Sequence, residues 1–192
     1  MIRTLGVLLG LALSVVGQTY QLDSARSSAS FTARHMMVTS VSGRFSNVTG
    51  TIVYDPKDLS KSSVTATIDA TTINTNEAKR DRHLKGPDFL DIEKFPTMSF
   101  ISTKVYLDAG QTKVDGNLTI HGVTKPVTLT LNRIGDEAMG EAGRVVRSAT
   151  ATTKISRHAF ALRYHKLIET GGVVVGDEIQ ITLELEALRL PG

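Results

Sequence analysis

The chain contains no cysteine and no tryptophan, and only 5% of its residues are aromatic. Without cysteine there is no disulfide framework, no thiolate chemistry and no lipoprotein anchor. A chain of ordinary single-domain length must then hold together by burial alone. Also missing are a G-x-S-x-G nucleophile elbow, an H-E-x-x-H zinc motif and a glycine loop that would cradle phosphates. The five histidines include no pair at a spacing that one strand or helix would bring onto a metal ion. No catalytic residue, metal or cofactor is therefore singled out.

Charge excludes further classes. The chain has 22 Lys and Arg against 19 Asp and Glu, formally +3, an excess too small and scattered for nucleic acid. Residues 5–16 form an apolar run behind Met1, Ile2 and Arg3, and no later stretch is apolar enough to cross a membrane. That run is short for a span and reads as a secretory signal over residues 1–17. Removing it with Arg3 leaves +2 (21 minus 19) on residues 18–192, read as one domain. The expected location is periplasmic or secreted, with no integral membrane span.

What the chain has in quantity is alternation. Ala29, Phe31 and Ala33 share a face against Ser30, Thr32 and Arg34, and Val64, Ala66, Ile68 and Ala70 alternate with Thr65, Thr67 and Asp69. Val114, Leu118 and Ile120 oppose Asp115, Asn117 and Thr119; Val127, Leu129 and Leu131 resume after a turn. Ile179, Ile181, Leu183 and Leu185 oppose Gln180, Thr182, Glu184 and Glu186. Each segment predicts a half-buried antiparallel strand, because successive strand side chains point to opposite faces. Turn signals separate them at Tyr54-Asp-Pro, Asp108-Ala-Gly, His121-Gly, the glycines at 140 and 143, and Gly171-Gly172. One helix is expected behind an Asn74 or Asn76 cap, ending near Gly86 because Pro87 cannot extend it. A second short turn of helix is expected over residues 88–93.

Many short alternating strands make either a flattened sandwich or an up-and-down barrel. Ala, Val and Thr are frequent at the inward positions, and an eight-strand barrel with small inward side chains has room for one ligand.

Two long phrases resemble a known family: KRDRHLKGPDFLDIEKFPTMSF at 79–100 and VDGNLTIHGVTKPVTL at 114–129. Further matching phrases are FTARHMMVTSVSGRF at 31–45, GTIVYDPKDLSKSSVTATIDATTINT at 50–75, SATATTKISRHAFAL at 148–162 and GGVVVGDEIQITLELEAL at 171–188. Together they resemble the YceI-like family over nearly the whole chain after residue 17. The resemblance implies an all-β, antiparallel lipocalin-like β-barrel with one or two short helices and an internal apolar cavity. It also implies non-enzymatic binding, storage or transport of a polyisoprenoid or similar long-chain amphiphile, a quinone or prenyl phosphate included.

A long apolar tail needs only area, whereas a polar head buried unpaired is costly and belongs at the mouth. The expected tail lining is Phe31, Ala33, Val64, Ala66, Ile68, Met98, Phe100, Leu118 and Phe160. Head candidates are Arg34, His35, Lys79, Arg80, Arg82, His83, Arg157, His158 and Arg163, with His165 beside them. Two rival readings stay open: a hydrolase acting on an exported lipid or ester through Asp81, His83 and the mouth residues, and a stress-response interaction module. A homodimer through a free strand edge is also left open.

Overall fold

A computed structural model describes residues 17–35, 39–164 and 175–191, with only the backbone of His35. The expected leader therefore lies outside the described residues, Gly17 excepted, as does His165. The strands are β1 (Gln18–Leu22), β2 (Ser28–His35), β3 (Thr39–Phe45), β4 (Val48–Tyr54), β5 (Ser63–Asp69), β6 (Thr97–Asp108), β7 (Gln111–Ile120), β8 (Val123–Ile134), β9 (Ala138–Met139), β10 (Val145–Ser156) and β11 (Val175–Arg189). Among the described residues one α-helix, α1 (Ala78–Lys85), interrupts them between β5 and β6.

Eight strands close into an antiparallel barrel in the order β1, β4, β5, β6, β7, β8, β10, β11, with β11 returning to β1. Closure pairs most of the ring, while β3 and the parted ends of β8 and β10 have no strand neighbour on one side among the described residues. The β2–β3 hairpin adds to the first part of β11, from Val175 to Glu184, while β1 pairs with its end at residues 187–189. The hairpins β6–β7 and β7–β8 turn on Ala109-Gly110 and His121-Gly122, all four residues at positive φ, as two-residue turns matched to strand twist require. A β-carbon at Gly122 would also lie 2.6 Å from the Phe95 ring, so that turn has room only for glycine.

The alternating faces read from the sequence are the faces that point inward. Val64, Ala66 and Ile68 of β5, Val114, Leu118 and Ile120 of β7, and Ile179, Ile181, Leu183 and Leu185 of β11 all turn to the barrel interior. Two bulges interrupt the rule. Thr103 is an extra residue in β6 against β7, so inward positions run Met98, Phe100, then Val105. Asn132 is extra in β8 against β10, so they run Val127, Leu129, Leu131, then Ile134.

Two expectations about helices are corrected. The cap of α1 is Glu77, whose carboxylate accepts the N–H groups of Lys79 and Arg80 at 2.9 and 2.6 Å. Asn76 sits instead at φ 60°, and Asn74 is spent on an Asx turn to its N–H. Residues 88–93 form successive turns closed by Phe89 and Asp91 N–H groups on the Gly86 carbonyl, not a helix.

The β8–β10 ladder is short. It runs from Ala149–Ile134 to Thr152–Thr130 and then stops, although β8 stays paired with β7 down to Val123 and β10 with β11 up to Ser156. The wedge left between them is bordered by Val127, Thr153 and Ile155 and holds Phe160, which is 1% exposed.

Candidate ligand-binding cavity

The barrel interior is not filled by the described residues. It holds a cavity of about 270 Å³ whose lining is almost wholly apolar, near the lower end of the ~300–1,000 Å³ typical of ligand sites. Phe31, Ala33, Val64, Ala66, Ile68, Met98, Phe100 and Leu118 all line it. Phe160 does not: it is packed into the β8–β10 wedge from the turn at His158–Phe160, so its apolar character serves the wall.

The basic residues named as head candidates gather at one end of the barrel. Arg34 is the second-last residue of β2, α1 carries Lys79, Arg80, Arg82 and His83, and Arg157, His158 and Arg163 follow β10. His83 meets Phe89 and Tyr164 edge-on, with ring centroids 5.1 and 5.0 Å apart, which ties α1 to the segment after β10. Most of these side chains are otherwise engaged or face water. Arg80 donates to the Thr75 hydroxyl and carbonyl, both at 2.8 Å, beneath an Asp81 carboxylate that accepts from the same threonine. His83 lies 3.3 Å from Asp88 and His158 2.9 Å from Asp177. Lys79, Arg82, Arg34 and Arg163 are exposed. The side chain of His35 and all of His165 lie outside what is described.

Arg157 alone among them lines the cavity. It is 3% exposed and is held by carbonyls: Nε donates to Gly176 at 3.0 Å, Nη1 to Leu162 and Tyr164 at 2.7 and 2.9 Å, and Nη2 to Val175 at 3.0 Å. Burial pushes its pKa down, partly opposed by Asp177. Its planar fork suits this task, since four carbonyls on two chain segments need donors diverging in fixed directions. Arg157 is thus a staple between residues 162–164 and the start of β11.

A second arginine lines the cavity and is absent from the sequence-based candidates. On β10, Arg147, Ala149, Ala151, Thr153 and Ile155 share the inward face, with Arg157 just past the end of the strand, so Arg147 lies near the opposite end, about 30 Å away at ~3.3 Å per residue. Its Nη1 donates to the Gly135 carbonyl at 2.7 Å and its Nε to the Tyr20 hydroxyl at 3.3 Å. The guanidinium carbon lies 5.6 Å from the Tyr20 ring centroid and 5.1 Å from that of Tyr54. The Tyr20 hydroxyl donates onward to Glu137 at 2.6 Å, and Arg189 closes on the other Glu137 oxygen at 3.3 Å. Burial, then this bond to a carboxylate, raises the Tyr20 pKa, while the same bond holds that of Glu137 below its ordinary value. Shared strand alternation with Ala149 and Ala151 was the signal that would have found Arg147.

Comparison with known proteins settles the lineage. A family model described as the YceI-like domain matches residues 20–187. The chain belongs to the YceI-like family. A UPF0312 protein of Pseudomonas aeruginosa is 39% identical over 196 residues, covering 97% of this chain and 98% of that one. Protein YceI of Salmonella newport is 37% identical over 134 residues, covering 69% and 70%. Among solved structures, Burkholderia cenocepacia BcnA matches with a TM-score of 0.72 at 25% identity, covering 86% of this chain and 98% of that one. A polyisoprenoid binding domain from Saccharophagus degradans, implicated in plant cell wall breakdown, matches with a TM-score of 0.62 at 15% identity, covering 90% and 99%, a likeness of fold alone. None of these four carries the name of an enzyme.

Proposed function

We propose that this YceI-like protein binds one long apolar chain, of the polyisoprenoid or a similar amphiphilic class, inside its barrel, and serves as a non-enzymatic carrier or reservoir for it. The observation that carries the reading is the unfilled, apolar interior. At about 24 cal/mol per Å³, leaving 270 Å³ empty forgoes roughly 6 kcal/mol of packing, a large share of the ~5–15 kcal/mol by which domains are stable. A guest returns it. Burying about 300 Å² of apolar tail yields roughly 7 kcal/mol before ordering costs. The name of the Saccharophagus degradans domain points to the same ligand class. The apolar run of residues 5–16 behind Arg3 supports an exported setting for this carrier.

Native mass spectrometry and solvent extraction of protein purified from its own host test the reading. A stoichiometric long-chain lipid is expected, released on unfolding. A reproducibly empty interior, with no uptake of added prenyl lipid, refutes it.

A further inference from the structure

The two arginines at the ends of the cavity are not equivalent. A guanidinium has five N–H donors. Arg157 directs four of its donors to backbone carbonyls and is 3% exposed, so little is left for a guest. Arg147 engages only Nε and one Nη1 hydrogen; Nη2 has no hydrogen-bond partner among the described residues. It is half-buried, lines the cavity and lies beside two tyrosine rings.

Among the contacts of the described residues, the carboxylate nearest Arg147 is Glu137, and it is already committed to the Tyr20 hydroxyl and to Arg189, so no carboxylate among them takes the free Nη2 hydrogens of Arg147. The Tyr20 hydroxyl fixes the guanidinium by accepting from Nε, because its own proton is given to Glu137. Such a held cation with spare paired donors recognises an anionic oxygen, and a charge-assisted bond in a poorly hydrated site is strong.

Resting on the apolar-chain reading above, we infer that Arg147, held by Tyr20, Tyr54 and Gly135, is the end-group site of the cavity, and that it takes the terminal anionic oxygen of a long-chain guest, a carboxylate or a phosphate monoester. The head of the guest therefore lies at the end opposite α1, and the exposed basic residues around α1 do not read it.

Two pairs of probes test this, each pair sharing one tail: geranylgeranyl phosphate with geranylgeraniol, and stearate with stearyl alcohol. Delipidated wild-type protein is titrated with each by displacement of a fluorescent apolar reporter at low and high salt. Tighter binding of the anionic member is expected in at least one pair, and the pair with the larger preference identifies the source of the anion. Arg147→Met should weaken the anionic member about tenfold or more and the alcohol less than about threefold. Tyr20→Phe, which keeps the ring and releases Nε, should give a smaller loss of the same sign.

If no probe binds the wild-type protein, the cavity reading itself fails. If alcohols and anions bind wild-type protein equally, the cavity stands and the Arg147 site is refuted, without recourse to any variant. A preference that survived Arg147→Met in folded protein, and vanished instead in Lys79→Gln/Arg82→Gln, would overturn it too.

Discussion

Replacing Arg157 by methionine keeps much of the side-chain volume and removes every donor. Four carbonyls, those of Leu162, Tyr164, Val175 and Gly176, then lose their partner at once. A buried acceptor left without a donor costs about 1–3 kcal/mol. Against that, stripping water from a guanidinium costs several kcal/mol, which methionine avoids. With water reaching some of the freed carbonyls, the net destabilisation should be about 3 kcal/mol, a large part of the ~5–15 kcal/mol of a typical domain. Arg157→Lys should recover only a minor share, because one ammonium cannot reach carbonyls on two segments as a planar fork does. Urea unfolding gives the free energies, and hydrogen exchange locates the damage: amides at 157–164 and 175–179 should lose protection while β5 to β7 keep theirs. A loss below about 1 kcal/mol, with protection around 157–164 unchanged, would show that Arg157 is not a staple.

Two other outcomes follow from the same geometry. Ala66 faces the cavity between Gly50 and Phe100, so Ala66→Trp introduces a group that buries about 150–250 Å²; lipid uptake should fall at least tenfold with the thermal midpoint kept, and undiminished uptake would place the guest elsewhere. The two backbone N–H groups that cap α1 hold the pKa of Glu77 below its ordinary 4.5. Its contribution is therefore fully present above pH 4.5 and lost as pH falls through the depressed value, so α1 amide protection should be flat above 4.5 and decline below it, with the decline absent in Glu77→Gln.

The fold was legible because its main determinant is local. Alternation at Val64 to Ile68, Val114 to Ile120 and Ile179 to Leu185 reports which face of a strand is dry without reference to the rest of the chain. The lining could be read for the same reason, except at Phe160, where an apolar side chain plugs a gap in the wall that no local pattern reveals. Arginines were harder. The basic residues could be named as candidates for a mouth, but that Arg157 would direct its donors to carbonyls depends on how residues 162–164 and 175–176 converge. Arg147 was hidden because a basic residue at a strand start is ordinarily solvated, and only its inward companions Ala149 and Ala151 say otherwise. The capping of α1 by Glu77 in place of Asn74 or Asn76 turns on one left-handed φ at Asn76.

Thr103 and Asn132 give the barrel an uneven tolerance for changes in chain length. Both are phase corrections: each lets one residue pass unpaired so that the residues beyond it resume on the proper side. Losing Asn132 would leave Leu131 and Ile134 still directed at the guest, with a straighter β8, whereas losing a residue from the unbroken inward run of β10 would invert all that follows. Evolution by insertion and deletion is thus tolerated at two points of the wall and costly along the strand that carries one arginine near its start and leads into the other.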